Sequence, residues 1–98
     1  MDESLPASGQ KRVVALKYEA HKDAAPRVVA KGQGWVAERI LQQAKGAEVP
    51  VVNDQCLVAL LYPLALEQNI PQELFPVVAE VFAFIYRLEK GNGQEENG

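Results

Sequence analysis

The chain has one cysteine, one histidine, one methionine and one tryptophan among its 98 residues. A single thiol, Cys56, cannot close an internal disulfide, which excludes a stapled secreted scaffold. His21 and Cys56 stand alone, with no Cys-x-x-Cys or His-x-x-x-His spacing, so no metal site is expected. No apolar run approaches the roughly 20 residues that span a bilayer. The opening Met1-Asp-Glu-Ser-Leu-Pro lacks the basic and apolar regions of a signal peptide. Excess positive charge is missing as well: the net charge is −3, whereas a nucleic-acid binder normally carries a basic footprint. No nucleic-acid partner is expected. These absences leave a small soluble domain, expected in the cytoplasm.

What is present suits one globular core. Hydrophobic residues make up 48% and charged residues 23%, which is ordinary usage for a folded domain, and the length allows a single domain. The two ends differ from the middle. Residues 1–10 hold acids, Ser4, Pro6, Ser8 and Gly9 without apolar periodicity, and residues 90–98 read Lys-Gly-Asn-Gly-Gln-Glu-Glu-Asn-Gly. Neither end buries enough apolar surface to offset its ordering entropy, so both are expected to be disordered around a domain spanning 11–89.

Val13-Val-Ala-Leu-Lys-Tyr18 reads as a strand, being β-branched, aromatic and almost continuously apolar. Arg27-Val-Val-Ala-Lys31 reads as a second, broken by Gly32 and Gly34. The stripe Val36, Ala37, Ile40, Leu41 and Ala44 predicts a helix over 35–45. Val49-Pro-Val-Val52 predicts a third strand, with Pro50 where a missing N–H matters least. Asn53 or Asp54 can cap a helix over 55–61 that turns Leu57, Leu60 and Leu61 inward. A last helix starts near Pro71 or Glu73, with Pro76 awkwardly deep in it or kinking it. The order predicts an α/β fold. It would be a small mixed sheet of three to four strands flanked by about three to four helices, with a right-handed β-α-β unit over strand 2 to strand 3. Strands 1 and 2 can pair in either direction.

Residues that might carry chemistry have plainer readings. Cys56 and His21 could form a nucleophile and base, but a cysteine beside an apolar stripe is more often a small buried hydrophobe. Gly32-Gln-Gly34 lies between strand and helix, where phosphate loops occur. A dinucleotide fingerprint needs a third glycine, and a Walker loop needs Gly-Lys-Ser/Thr, so a tight turn is the simpler reading. The carboxylates form no pair on one cleft. No catalytic residue and no cofactor are expected. The segment Val77-Val-Ala-Glu-Val-Phe-Ala-Phe-Ile-Tyr86 is apolar nearly all round. Its side away from the sheet exposes Ala79 and Phe82 as a candidate partner surface.

Val13-Val-Ala-Leu-Lys-Tyr, followed by Lys22-Asp-Ala-Ala-Pro-Arg-Val-Val-Ala-Lys-Gly-Gln-Gly34, resembles the cytoplasmic C-terminal domain of the FlhB/YscU/EscU-type export switch proteins. These serve flagellar and virulence type III secretion. The resemblance continues through Val49-Pro-Val-Val, Ile70-Pro71, Glu73-Leu-Phe75 and Val78-Ala-Glu-Val81 to Tyr86-Arg-Leu88. It implies a non-enzymatic component of a bacterial protein-export apparatus. Its partners would be the export-gate proteins and early rod- or hook-type export substrates. It would be peripheral to the membrane complex without inserting into the bilayer. An apolar patch that docks substrates in the family maps by resemblance to Ala25, Pro26, Ala79 and Phe82.

The departures are informative. Family members carry Asn-Pro-Thr-His before the first strand and cleave themselves between Asn and Pro, the asparagine amide attacking its own carbonyl. Here the matching positions are Ser8, Gly9, Gln10 and Lys11, so no self-cleavage is expected. The family's transmembrane portion has no counterpart here, and the chain is similar to small stand-alone members of the FlhX type. The family's Pro-Pro-Leu-Ala-Arg-Ala-Leu is here Gln55-Cys-Leu-Val-Ala-Leu-Leu61, without the arginine. Three readings stay open. One is a counterpart of the switch domain that replaces it, and another is a regulator that competes with it. The third is a small α/β domain binding a nucleotide or phosphate at the glycine turn. A flagellar and a virulence setting are equally compatible, although flagellar export is the expected one.

Overall fold

The computed structural model describes residues 11–19 and 21–97, with those from 89 onward described by backbone alone. Two strands, β1 (Arg12–Lys17) and β2 (Arg27–Gln33), form an antiparallel hairpin. Helix α1 (Trp35–Gly46) follows directly, then α2 (Gln55–Leu61), a 3-10 turn at Gln72–Leu74 and α3 (Phe75–Asn97). The fold is thus mixed α/β, as the sequence pattern implies. The expected degenerate cleavage positions Ser8, Gly9 and Gln10 lie outside the described residues.

The open question of strand direction resolves as antiparallel, with a bulge: Ala15 pairs with Ala30 and Leu16 with Val28, so Val29 is the extra residue. β2 is also longer than expected. Gly32 lies inside it, paired with Val13, rather than ending it, and a side chain there has no room. A Cβ on Gly32 would lie 2.2 Å from Cγ1 of Val36. The strand gives way at Gly34, whose φ of 62° turns the chain into α1.

The expected third strand at 49–52 is absent among the described residues, and with it the parallel β-α-β unit. The described sheet has two strands, not three to four. The N–H of Val49 donates to the carbonyl of Ala44 at 2.8 Å, closing the end of α1. Pro50 has no N–H to give. Val49, Val51 and Val52 are exposed, so no apolar gain holds this segment against the sheet. The outer edge of β2 is taken instead by the loop 67–70. Val28 donates to Gln68 at 3.0 Å, Glu67 donates to Val28 at 2.6 Å, and Ile70 donates to Pro26 at 2.9 Å.

The helices follow their local signals closely. Asp54 caps α2, its Oδ1 accepting from the N–H of Leu57 at 3.0 Å. Leu57 and Leu61 face inward as expected, but Leu60 is exposed. Pro76 proves harmless: Pro71 leads into the 3-10 turn, and α3 begins only at Phe75. Pro76 therefore lies in the first turn, where no intrahelical N–H is needed. The backbone of α3 continues through Asn97.

The core gathers Leu57, Leu61, Ile70 and Val78, with Val14 and Leu16 of β1 and Phe75, Val81 and Phe82 of α3 packed against them. Val28 and Val78 are the largest fully buried side chains, each contributing roughly 1.5–3 kcal/mol by leaving water. α1 packs on the hairpin through Ala37, which is fully buried. α3 lies against the loop that joins β1 to β2, with Phe82 beside Tyr18 at the end of β1 and Phe75, Val78 and Ala79 facing the same opening as Pro26. That junction is where the candidate site forms.

Candidate functional site

An open apolar cleft of about 250 Å³ runs between the hairpin loop and α3. Tyr18, Ala24 and Pro26 line it from the loop side. Phe75, Val78, Ala79 and Phe82 line it from α3, spaced at three and four residues as one helical face requires. Ile70, 3% exposed, joins the cleft to the core beneath. The rings of Tyr18 and Phe82 lie 6.0 Å apart at a 36° tilt, within the range of a favourable aromatic pair.

The loop that carries Ala24 and Pro26 is fixed by Asp23. Its Oδ2 accepts from the N–H of Glu19 at 2.8 Å, and its Oδ1 accepts from Arg27 at 3.3 Å. The N–H groups of Lys22 and Asp23 both donate to the carbonyl of Glu19, at 2.9 and 2.7 Å. Arg27 reaches across to Glu67 with Nε at 3.0 Å, which ties the loop to the 67–70 segment on the β2 edge. Proline restricts its own φ and the residue before it. The loop wall is therefore preorganised, and a ligand entering the cleft meets little ordering cost.

The structure brings Pro26, Ala79 and Phe82 to one cleft. Ala25 is not a lining residue: it is 6% exposed, turned into the protein, and Ala24 takes the wall position. The bent loop, held by the Asp23 hydrogen bonds, turns Ala25 in and Ala24 out, and sequence alone could not say which alanine faces out. Tyr18, Ile70, Phe75 and Val78 also line the cleft. Tyr18 stands in the sequence only as a strand residue and Val78 as part of the apolar run of the last helix, while Ile70 and Phe75 carry no signal beyond the family resemblance. The lining offers desolvation and shape, with a phenol as its one titratable side chain. Such a lining can shelter apolar groups from water.

The other residues of interest are dispersed. Lys11 is exposed, its Nζ donating to Glu38 at 2.7 Å and its carbonyl accepting from Gly34. The Gly34 amide is thus committed to the hairpin, and the Gly32-Gln-Gly34 turn serves the close contact of β2 with α1. Cys56 is exposed on the first turn of α2, not a buried hydrophobe. His21 is exposed in the hairpin loop. Among the described residues no helix is long and apolar enough to cross a membrane.

Comparison with known proteins agrees with this architecture. The family model described as FlhB HrpN YscU SpaS Family matches residues 11–85. YlqH of Bacillus subtilis (strain 168) is 46% identical over 80 residues, covering 82% of this chain and 86% of that protein. The flagellar biosynthetic protein FlhB of Aquifex aeolicus (strain VF5) is 40% identical over 78 residues, covering 79% of this chain but only 22% of the relative. The crystal structure of the cytoplasmic domain of FlhB from Shewanella putrefaciens superposes with a TM-score of 0.79 at 33% identity, covering 85% of this chain and 69% of that one. The PscU C-terminal domain gives a TM-score of 0.70 at 27% identity, covering 76% of this chain and 95% of that one. The chain spans about a fifth of the length of the FlhB relative it matches. On the extent of the matched residues, their identity and the shared fold, this chain belongs to the FlhB/YscU family of type III export switch proteins.

Proposed function

We propose that the chain is a non-enzymatic, uncleaved counterpart of the switch protein's cytoplasmic domain in a bacterial type III export apparatus, flagellar in setting. Residues 11–89 form the working domain, with 1–10 and 90–98 as flanking segments. It acts in the cytoplasm beside the membrane complex, pairs with export-gate proteins, and binds short apolar segments of early export substrates. It takes no cofactor, no metal and no nucleic acid.

One observation carries the reading: Pro26, Ala79 and Phe82 share one apolar cleft whose loop wall is held by Asp23 and Arg27. The cleft volume of about 250 Å³ falls below the roughly 300–1,000 Å³ of small-molecule pockets. It has room for one or two apolar side chains. Binding through so few side chains is weak and quickly reversible, which suits a relay that must release its cargo. The absence of an asparagine and a proline from Ser8, Gly9, Gln10 and Lys11 supports the uncleaved state, because there is no asparagine amide to close the five-membered cyclic imide and no Asn-Pro bond to break.

The test is complementation. The host's membrane switch protein is truncated before its cleavage site, and export is measured with and without this chain. Restored export that Phe82→Ala or Ala79→Glu abolishes supports the reading. Export that stays absent, or falls further in a strain with an intact switch protein, favours a regulator that competes with it. Mass measurement of the denatured chain should give the intact species alone. A spontaneous fragment beginning near Gly9 would sink the uncleaved state.

A further inference from the structure

Residues 11–45 hold eight Lys or Arg against three Asp or Glu, whereas residues 46–98 hold two against eight. The acidic net charge therefore conceals a cationic half built from the hairpin and α1. Most of its cations are engaged locally. Lys11 pairs with Glu38, Lys17 and Lys22 flank Glu19, and Arg27 holds Asp23 and Glu67. Lys31 donates to two carbonyls, and Arg12 lies over the Tyr62 ring. Arg39 and Lys45 stand outside these pairs, and both are exposed.

Beside them is Trp35, 86% exposed at the first position of α1. A tryptophan left this bare is unusual, since its ring is a large apolar surface with one polar edge. Trp35 and Arg39 are four residues apart and so share a face of α1, which Gln42 and Gly46 continue. Lys45 lies at its flank in the last turn. The one acid at the near edge, Glu38, is neutralised by Lys11; Glu48 follows beyond the helix end. None of these residues lines the cleft.

We propose that this face of α1 docks on an anionic lipid surface, with the Trp35 indole among the headgroups and Arg39 and Lys45 against their phosphates. The indole's amphipathic ring is suited to that depth, and Arg39 and Lys45, outside the ion pairs of the described residues, supply the charge complementarity. A protein partner fits less well. One projecting indole between two flexible cations buries far less than the roughly 1,000 Å² of a specific protein contact, whereas a fluid headgroup layer needs no matching shape. Such docking would hold the domain at the bilayer while leaving the cleft open. It is independent of the reading of the cleft, which is tested by export.

Trp35 is the sole tryptophan, so its emission reports directly on occupancy of this face. The full chain is titrated with phosphatidylcholine vesicles, with or without phosphatidylglycerol, at low ionic strength. Anionic vesicles should move the emission to shorter wavelength and carry the chain down on sedimentation. Each cation strengthens such association by roughly five-fold, so R39E/K45E should weaken it at least twenty-fold. Salt of about 1 M, where the Debye length is about 3 Å, should release the chain. Trp35→Ala, followed by sedimentation, should bind more weakly with an unchanged circular dichroism spectrum. No shift and no sedimentation with anionic vesicles overturns the proposal. So does equal binding to neutral vesicles, and so does a shift that grows with protein concentration without lipid, which would assign the face to a second copy of the chain.

Discussion

The ammonium of Lys31 closes the C-terminal end of α2: it donates to the carbonyls of Tyr62 at 2.8 Å and Leu64 at 2.6 Å, and lies 5.3 Å from the centre of the Tyr62 ring. Arg12 lies over the same ring at 5.2 Å. The two strands of the hairpin thus grip one aromatic residue through their cations. A short helix that ends without a capping glycine has its C-cap carbonyl, at Tyr62, and a carbonyl of the turn beyond it, at Leu64, satisfied by a residue 31 and 33 positions away.

Lys31→Met should therefore destabilise the fold although it keeps the length and much of the stem. Losing a charged donor to two part-buried carbonyls costs about 2 kcal/mol, a fall of roughly 10 °C in the melting temperature of a domain this small. Lys22→Met is the control. Lys22 is 78% exposed and sits 3.6 Å from Glu19, so its loss should change stability by less than about 0.5 kcal/mol. Thermal melts followed by circular dichroism compare the two.

Gly32 and Val36 form a lock of another kind. Gly32→Ala would place its Cβ 2.2 Å from Cγ1 of Val36 and 3.1 Å from its carbonyl carbon. The overpacking should cost about 1–3 kcal/mol. Val36 is 52% exposed, so Val36→Ala alone should cost little. The double variant should recover only part of the loss, because the Cβ of residue 36 would still lie 2.8 Å from the new Cβ, and a double-mutant cycle in urea reads the coupling directly. Strict additivity would show that the strain lies elsewhere.

Glu48 has a φ of 61° in the turn after α1 and is exposed. The left-handed region costs an L residue about 1–2 kcal/mol, partly offset by glycine's greater entropy in the unfolded chain. Glu48→Gly should thus raise the melting temperature by a few degrees. Glu67 has a similar φ of 66°, but its carboxylate accepts from Arg27 at 3.0 Å. Glu67→Gly should therefore gain less, since it also gives up that ion pair.

Ala79→Glu puts a carboxylate at the mouth of the cleft. Ala79 is exposed on α3, so folding should be unchanged within about 0.5 kcal/mol. Binding of an apolar substrate segment should weaken at least tenfold, about 1.4 kcal/mol, because the charge keeps its hydration and the segment loses a dry wall. A matched titration of wild-type and variant chains, read by amide shifts at Tyr18 and Phe82, checks it. Equal affinity would place the docking surface elsewhere.

The sequence by itself determined the local structure. The bounds of α1 and α2 and the Asp54 cap rest on interactions within a few residues, so periodicity and capping chemistry suffice to find them, whereas the start of α3 at Phe75 lies past the expected Pro71 or Glu73 because a 3-10 turn intervenes. The family was legible for a related reason. The run from Ala25 to Gly34 joins a rigid loop, a buried strand and a glycine that must lie under Val36. What only the tertiary structure decided was pairing and facing. Val49-Pro-Val-Val52 has strand-like composition, but the edge it might join is occupied by residues 67–70, and strand pairing is a contest between distant segments. Leu60 and Leu61 are both suited to a core, yet only Leu61 is buried. Ala24 and Ala25 are chemically identical, and their roles in the cleft are set by the Asp23 hydrogen bonds that orient the loop. Composition fixes which side chains are worth burying; the competition of all segments for one core decides which of them are.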